Sequence, residues 1–229
     1  TTSVHGTYAA GGLFGSISMS SMADIIRRAN VRVTHAGLSS VSIDGARYMG
    51  GLVGYSDVGD QSNAAIDIRE SSFEGSVALG CADNSAIGGV MGALAADMNG
   101  TNSVAVSGTG VKATIGSATP CATPPSTMSV GGLIGEGYGD ENDGAVNISA
   151  KDNFIIGSIL VPNGQTSSIG YLVGAEKIGT SSTLIDNYYY GSTGDAAVVG
   201  IGSMSQAEWN AGMVSGNFLS YNNFRNDNG

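Results

Sequence analysis

The chain has 229 residues, a formal net charge of −10, 37 glycines, and 41 % hydrophobic against 12 % charged side chains. Collagen is excluded because the glycines keep no three-residue period, and a disordered Gly-rich linker is excluded because it would lack this apolar content. With nine Lys and Arg in all, nucleic acid and anionic membrane surfaces are not expected partners, since such binding rests on clustered cations.

From the N-terminus, Ala-Gly-Gly-Leu-Phe-Gly at 10–15 is the first copy of a hexamer. It returns as Met-Gly-Gly-Leu-Val-Gly at 49–54, Ile-Gly-Gly-Val-Met-Gly at 87–92, Val-Gly-Gly-Leu-Ile-Gly at 130–135 and Ile-Gly-Tyr-Leu-Val-Gly at 169–174. Its first glycine stands at 11, 50, 88, 131 and 170, a period of 38 to 43 residues. Such a period is the mark of a repeat architecture. A second column lies between the hexamers. Ile26, Ile68, Val106 and Ile148 precede Asn30, Ser72, Gly110 and Asn153, which are followed by Val31, Phe73, Val111 and Phe154, with Asn187-Tyr188 as a fifth copy.

The apolar segments are short, β-branched or alternating, as in Ala65-Ile-Asp-Ile68, and are bounded by Gly, Asn, Asp and Ser, so they read as strands. Residues 22–29 look helical locally, but their alignment with 63–71 makes them a strand. Three strands and three turns per repeat describe one coil of an all-β fold, a right-handed parallel β-helix of about five coils. Stacked at about 4.8 Å, five coils rise only about 24 Å. The solenoid is expected over 1–205, ending in a short C-terminal helix or cap, with a cap or tail over 206–229. Asn30, Asn153 and Asn187 predict an amide ladder at one turn, because Asn tolerates a left-handed backbone and bonds between coils.

Cys81 and Cys121 fall in the same inter-strand loop of consecutive coils, so stacking brings them within disulfide range, with free thiols as the alternative. Acidic residues follow the hexamer: Asp57 and Asp60, then Asp97, then Asp140, Glu141 and Asp143. Asp60, Asp97, Asp140 and Asp143 are the candidate ligands of a calcium ion, which would relieve the repulsion of a stacked acidic column. A solvated acidic face is the plainer expectation, with no cofactor. Tyr188, Tyr189 and Tyr190 are a candidate aromatic platform for a glycan or protein, against a role in capping the core. No nucleophile elbow, Walker loop, zinc-protease or dinucleotide motif occurs. His5 and His35 lack a motif around them, and Lys112, Lys151 and Lys177 are spread over different coils, so no enzyme activity is expected.

The hexamer at this spacing resembles the GLUG repeat of large bacterial surface proteins, adhesins and the non-catalytic part of immunoglobulin-A peptidases among them. The similarity spans about residues 10–205, and the ending, Asn187-Tyr-Tyr-Tyr190 followed by Gly202-Ser-Met-Ser-Gln-Ala-Glu-Trp209, looks like the close of such an array. The resemblance implies a secreted or cell-surface bacterial protein concerned with attachment to a host or bacterial surface protein or glycan, or else a structural spacer in a larger secreted polypeptide. A β-helical polysaccharide lyase or hydrolase is the third alternative. The segment has no apolar run long enough to insert in a membrane, and any signal or anchor is expected elsewhere in the larger polypeptide. Tyr171 in place of the second glycine marks the fifth copy as a departure, expected of a last coil.

Overall fold

The computed structural model describes residues 2–193, apart from 20–27, 46, 79–80, 118–120, 123–124, 126, 142 and 162–166. Within them the chain forms twenty-one strands and no helix. The first coil is β1 (Thr2–Gly6), β2 (Ala9–Gly11), β3 (Phe14–Met19) and β4 (Arg28–Thr34), and the second is β5 (Gly37–Gly45), β6 (Tyr48–Gly50), β7 (Val53–Val58) and β8 (Asn63–Arg69). The third holds β9 (Ser72–Val77), β10 (Ser85–Gly88), β11 (Met91–Ala96) and β12 (Thr101–Ser107). The fourth holds β13 (Gly110–Gly116), β14 (Met128–Gly131), β15 (Ile134–Gly139) and β16 (Ala145–Lys151). The fifth follows with β17 (Phe154–Leu160), β18 (Ser167–Gly170), β19 (Val173–Glu176) and β20 (Thr180–Ile185), and β21 (Tyr188–Thr193) opens a further pass. The tail that was expected to form the cap, with its short helix and Trp209, lies outside the described residues.

Each strand pairs in parallel with the strand four places on, giving four sheets: a first of six strands starting at β1 and three of five strands starting at β2, β3 and β4. This is a β-solenoid of stacked parallel sheets, consistent with a right-handed β-helix. Each coil carries four strands where three apolar segments were expected, because the hexamer is a corner and not a strand. In the second coil Met49 and Gly50 end β6, Gly51 and Leu52 turn the chain, and Val53 and Gly54 open β7. The corners stay hydrogen-bonded from coil to coil, as in Leu13 N–H to Leu52 O at 2.9 Å and Leu133 N–H to Leu172 O at 2.9 Å.

Equivalent apolar side chains stack inside. Ala10, Met49, Ile87, Val130 and Ile169 form one column, Ile43, Val77, Ile115 and Ile159 another, and Ile66, Val104 and Ile148 a third, all buried. The hexamer glycines are demanded by close approach. A Cβ on Gly92 would stand 2.4 Å from the Gly54 carbonyl oxygen and 2.5 Å from the Met49 nitrogen, so two coils could not stack with any larger residue there. A Cβ on Gly132 would fall 2.0 Å from the Tyr171 carbonyl oxygen. Since β18 is the outermost strand of the second sheet, Tyr171 meets no such oxygen from a further described coil, which is why the fifth copy can depart from glycine.

The register corrects the second column in the first coil. Val33 pairs with Ile68, and Leu38 with Phe73, so Leu38 and not Val31 is the counterpart of Phe73. Asn30 sits inside β4 opposite Ala65 and takes no part in the ladder; the longer stretch before β4 had displaced the alignment. Of the segment expected to be a strand at 22–29, residues 22–27 are not described. The ladder itself runs through Ala36, Ser71, Thr109, Asn153 and Asn187, each preceded by a left-handed residue: His35, Glu70, Gly108, Asp152 and Asp186, with φ between 46° and 57°. Buried Asn153 accepts from Thr109 N–H at 2.9 Å and donates through Nδ2 to Val106 O and to Asn187 Oδ1, both at 2.8 Å.

Candidate functional site

The residues flanking each hexamer occupy equivalent places on the second and third sheets: Ala9 and Ser16, Tyr48 and Tyr55, Ala86 and Ala93, Ser129 and Glu136, Ser168 and Ala175. By strand alternation they leave the main core, since their neighbours Met49, Ile87 and Val130 enter it. They meet one another across the corner instead. The Tyr48 and Tyr55 rings stack with centroids 4.4 Å apart and planes 8° from parallel. Ser129 Oγ donates to Glu136 Oε2 at 2.9 Å, and Lys177 Nζ reaches the same oxygen at 2.7 Å. Small neighbours make room for the rings: Tyr48 and Tyr55 pack with Ala9, Ala86 and Ala93 in an apolar cluster separate from the core.

Tyr8, from the turn between β1 and β2, completes this cluster. It stands at right angles to Tyr48 and Tyr55, with centroid distances of 5.3 and 5.7 Å, and is 49 % exposed. The Arg47 guanidinium lies 5.1 Å from the Tyr48 ring centroid and 5.9 Å from that of Tyr8, a cation–π arrangement. Burial pushes the Tyr48 hydroxyl up to about 12 against the pull of Arg47. Burial, and then the Asp57 carboxylate, raise Tyr55 further. Asp57 is itself raised, first by burial and then by the charge of Asp97, although the Tyr55 hydroxyl and the Val58 N–H both donate to it. The result is a partly exposed aromatic surface carrying one guanidinium, with a carboxylate held at its edge.

The sequence had pointed elsewhere. Cys81 and Cys121 are joined by a disulfide, with Cα atoms 5.6 Å apart. Asp97 and Asp140 occupy equivalent positions, since Asp97 N–H bonds Val58 O and Asp140 N–H bonds Ala96 O. That place in the second coil is taken by Gly59, whose N–H bonds Met19 O. Asp60 comes one residue later, and Asp143 stands in a left-handed turn beyond. The four aspartates do not gather: among the described residues no group of three or more His, Cys, Asp or Glu is placed to hold a metal ion. Asp97 and Asp140 stay stacked, but the column goes no further, because Asp60 stands one place beyond Gly59 and Asp143 lies past Asp140 in the next turn. Of Tyr188, Tyr189 and Tyr190 only the backbone is described, in β21 paired with Phe154, Ile155 and Ile156.

Tyr8, Arg47, Tyr48 and Tyr55 escaped sequence reading, although a signal existed. Tyr48 and Tyr55 flank one hexamer symmetrically, as Ser129 and Glu136 flank another, and residues so placed meet once the hexamer is recognised as a corner. No family model, no curated protein and no solved structure matches this chain.

Proposed function

We propose that this chain is a non-catalytic, adhesin-type repeat domain of a secreted or cell-surface bacterial protein, of the GLUG-like kind, that attaches to a surface glycan through the Tyr8, Tyr48 and Tyr55 cluster. One observation carries the reading. A 49 % exposed tyrosine stands on two partly or fully buried ones beside a guanidinium, and rigid aromatic rings with polar rims are what sugar and protein ligands stack on. The low content of charged residues and a disulfide between stacked loops support an oxidising, extracellular setting.

A second reading, a structural spacer in a larger secreted protein, draws on the self-sufficiency of the stack. Its coils are tied by backbone ladders and a side-chain ladder that need no ligand. The test is a binding screen of the full chain on immobilised glycans and extracellular-matrix proteins, repeated with Tyr8→Ala. Glycan binding that the variant loses supports the adhesin reading. Absence of binding to every surface rejects it and favours the spacer; binding indifferent to Tyr8 rejects this cluster as the site.

A further inference from the structure

Arg47 is the anomaly of this face. Arg32 and Arg69 share Asp67 at 3.5 and 2.6 Å, Lys112 meets Glu74 at 2.7 Å, and Lys177 meets Glu136 at 2.7 Å. Arg47, half-buried at the start of the second sheet, has no carboxylate partner among the described residues, and its Nε is buried without a hydrogen-bond acceptor. The two carboxylates nearest the cluster are engaged: Glu136 by Lys177 and Ser129, and Asp57 by the Tyr55 hydroxyl. The guanidinium carbon lies 5.9 and 5.1 Å from the Tyr8 and Tyr48 ring centroids, so rings rather than acceptors surround it while its Nε–H stays unpaired. A buried donor without an acceptor is costly, and native structures rarely keep one without a reason.

We infer that Arg47, with the Tyr8 and Tyr48 rings, forms a subsite for a carboxylate-bearing sugar of an acidic glycan. This rests on the glycan reading above and names the ligand class. A carboxylate matches the guanidinium fork in a bidentate geometry that a lone hydroxyl cannot reproduce. The exposed Tyr8 ring offers the adjoining surface on which a sugar ring stacks, which is why a sugar acid and not an acidic peptide is the favoured ligand. The net charge of −10 works against a polyanion bound along the whole surface, so recognition is confined to one carboxylate placed at Arg47.

The experiment compares tri-galacturonate with its neutral, carboxyl-reduced counterpart, tri-galactose, by titration calorimetry on the full chain. Hexa-glutamate serves as a peptide arm. The acidic sugar is expected to bind at least about tenfold more tightly than the neutral one, in line with a charge-assisted bond at a partly buried site. Arg47→Lys, which keeps the charge and loses the fork, is expected to reduce that preference below about threefold. Tyr8→Ala is expected to weaken both sugars by similar factors. Equal binding of the two sugars to the unaltered chain overturns this inference and leaves the glycan reading standing, as does a preference that survives Arg47→Lys. Binding of hexa-glutamate in preference to either sugar overturns it in favour of a protein ligand. Binding of neither sugar nor peptide overturns this inference, and the glycan reading falls with it only if the wider screen above is also empty. Because the sugar pair is compared on the unaltered chain, the test does not depend on any variant folding.

Discussion

Replacing Asn153 by alanine tests whether the side-chain ladder holds the coils together. The side chain is fully buried and makes three bonds: from Thr109 N–H at 2.9 Å, to Val106 O at 2.8 Å and to Asn187 Oδ1 at 2.8 Å. Alanine removes all three and leaves the Thr109 N–H inside without its acceptor. A buried group left unsatisfied costs about 1–3 kcal/mol, and the remaining bonds add to it, so the expected destabilisation is about 3 kcal/mol. For a chain of this size that lowers the melting temperature by about 6–12 °C. Asn153→Ser restores an oxygen like that of Ser71, two ladder steps away, which accepts Ala36 N–H at 3.3 Å, and is expected to recover about half the loss by keeping the most costly orphan paired. The control is Asn147→Ala on the outer face of the fourth sheet, where the side chain bonds only exposed serines; it is expected to cost under about 0.5 kcal/mol. Urea unfolding of the parent and three variants measures the differences. If Asn153→Ala cost no more than Asn147→Ala, the ladder would be an ornament of the fold and the reasoning would be wrong.

The hexamer glycines give a contrast within one column. Gly92→Ala drives a methyl to 2.4 Å from a backbone oxygen and is expected to cost about 3 kcal/mol or to prevent folding, whereas Gly15→Ala, whose nearest neighbour lies 3.4 Å away, is expected to cost well under about 1 kcal/mol; thermal melts separate them. Cutting the link by Cys81→Ser with Cys121→Ser frees a loop with a sequence separation of 40, and the chain-entropy account puts the loss at about 4 kcal/mol, read by denaturant unfolding of both forms. Asp57 has a folded-state pKa raised above its unfolded value, so its ionisation costs stability as pH climbs from the ordinary aspartate range to that raised value, and the penalty persists above it. Asp57→Asn is therefore expected to stabilise the chain at pH 7 and to give no such gain at pH 3, a sign that melts at the two pH values check. Tyr48 and Tyr55 also hold their protons longer when folded. Stability is expected to fall as pH rises above about 10, the unfolded tyrosine value, with the two hydroxyls ionising last in an ultraviolet titration.

The sequence by itself determined the solenoid, its period and its core columns, because stacking identical coils turns one-dimensional recurrence into three-dimensional contact. Met49, Ile87, Val130 and Ile169 recur in sequence and touch in space for the same reason. The proximity of Cys81 and Cys121 follows from the same logic, one coil apart in equivalent loops. It failed wherever the recurrence was broken. The longer stretch before β4 puts Asn30 and Val31 out of register, and Asp60, one place beyond the position that Asp97 and Asp140 share, drops out of the acidic column. What only the tertiary structure decided is the corner. Gly51 and Leu52 turn the chain, so that Tyr48 and Tyr55, seven residues apart, stack face to face, and Tyr8 and Arg47 are brought onto them from another turn. A corner angle is a property of backbone dihedrals and coil stacking, so the flanking pairs, Tyr48 with Tyr55 and Ser129 with Glu136, become legible only once the hexamer is known to turn. The candidate ligand-binding face is built entirely from those residues.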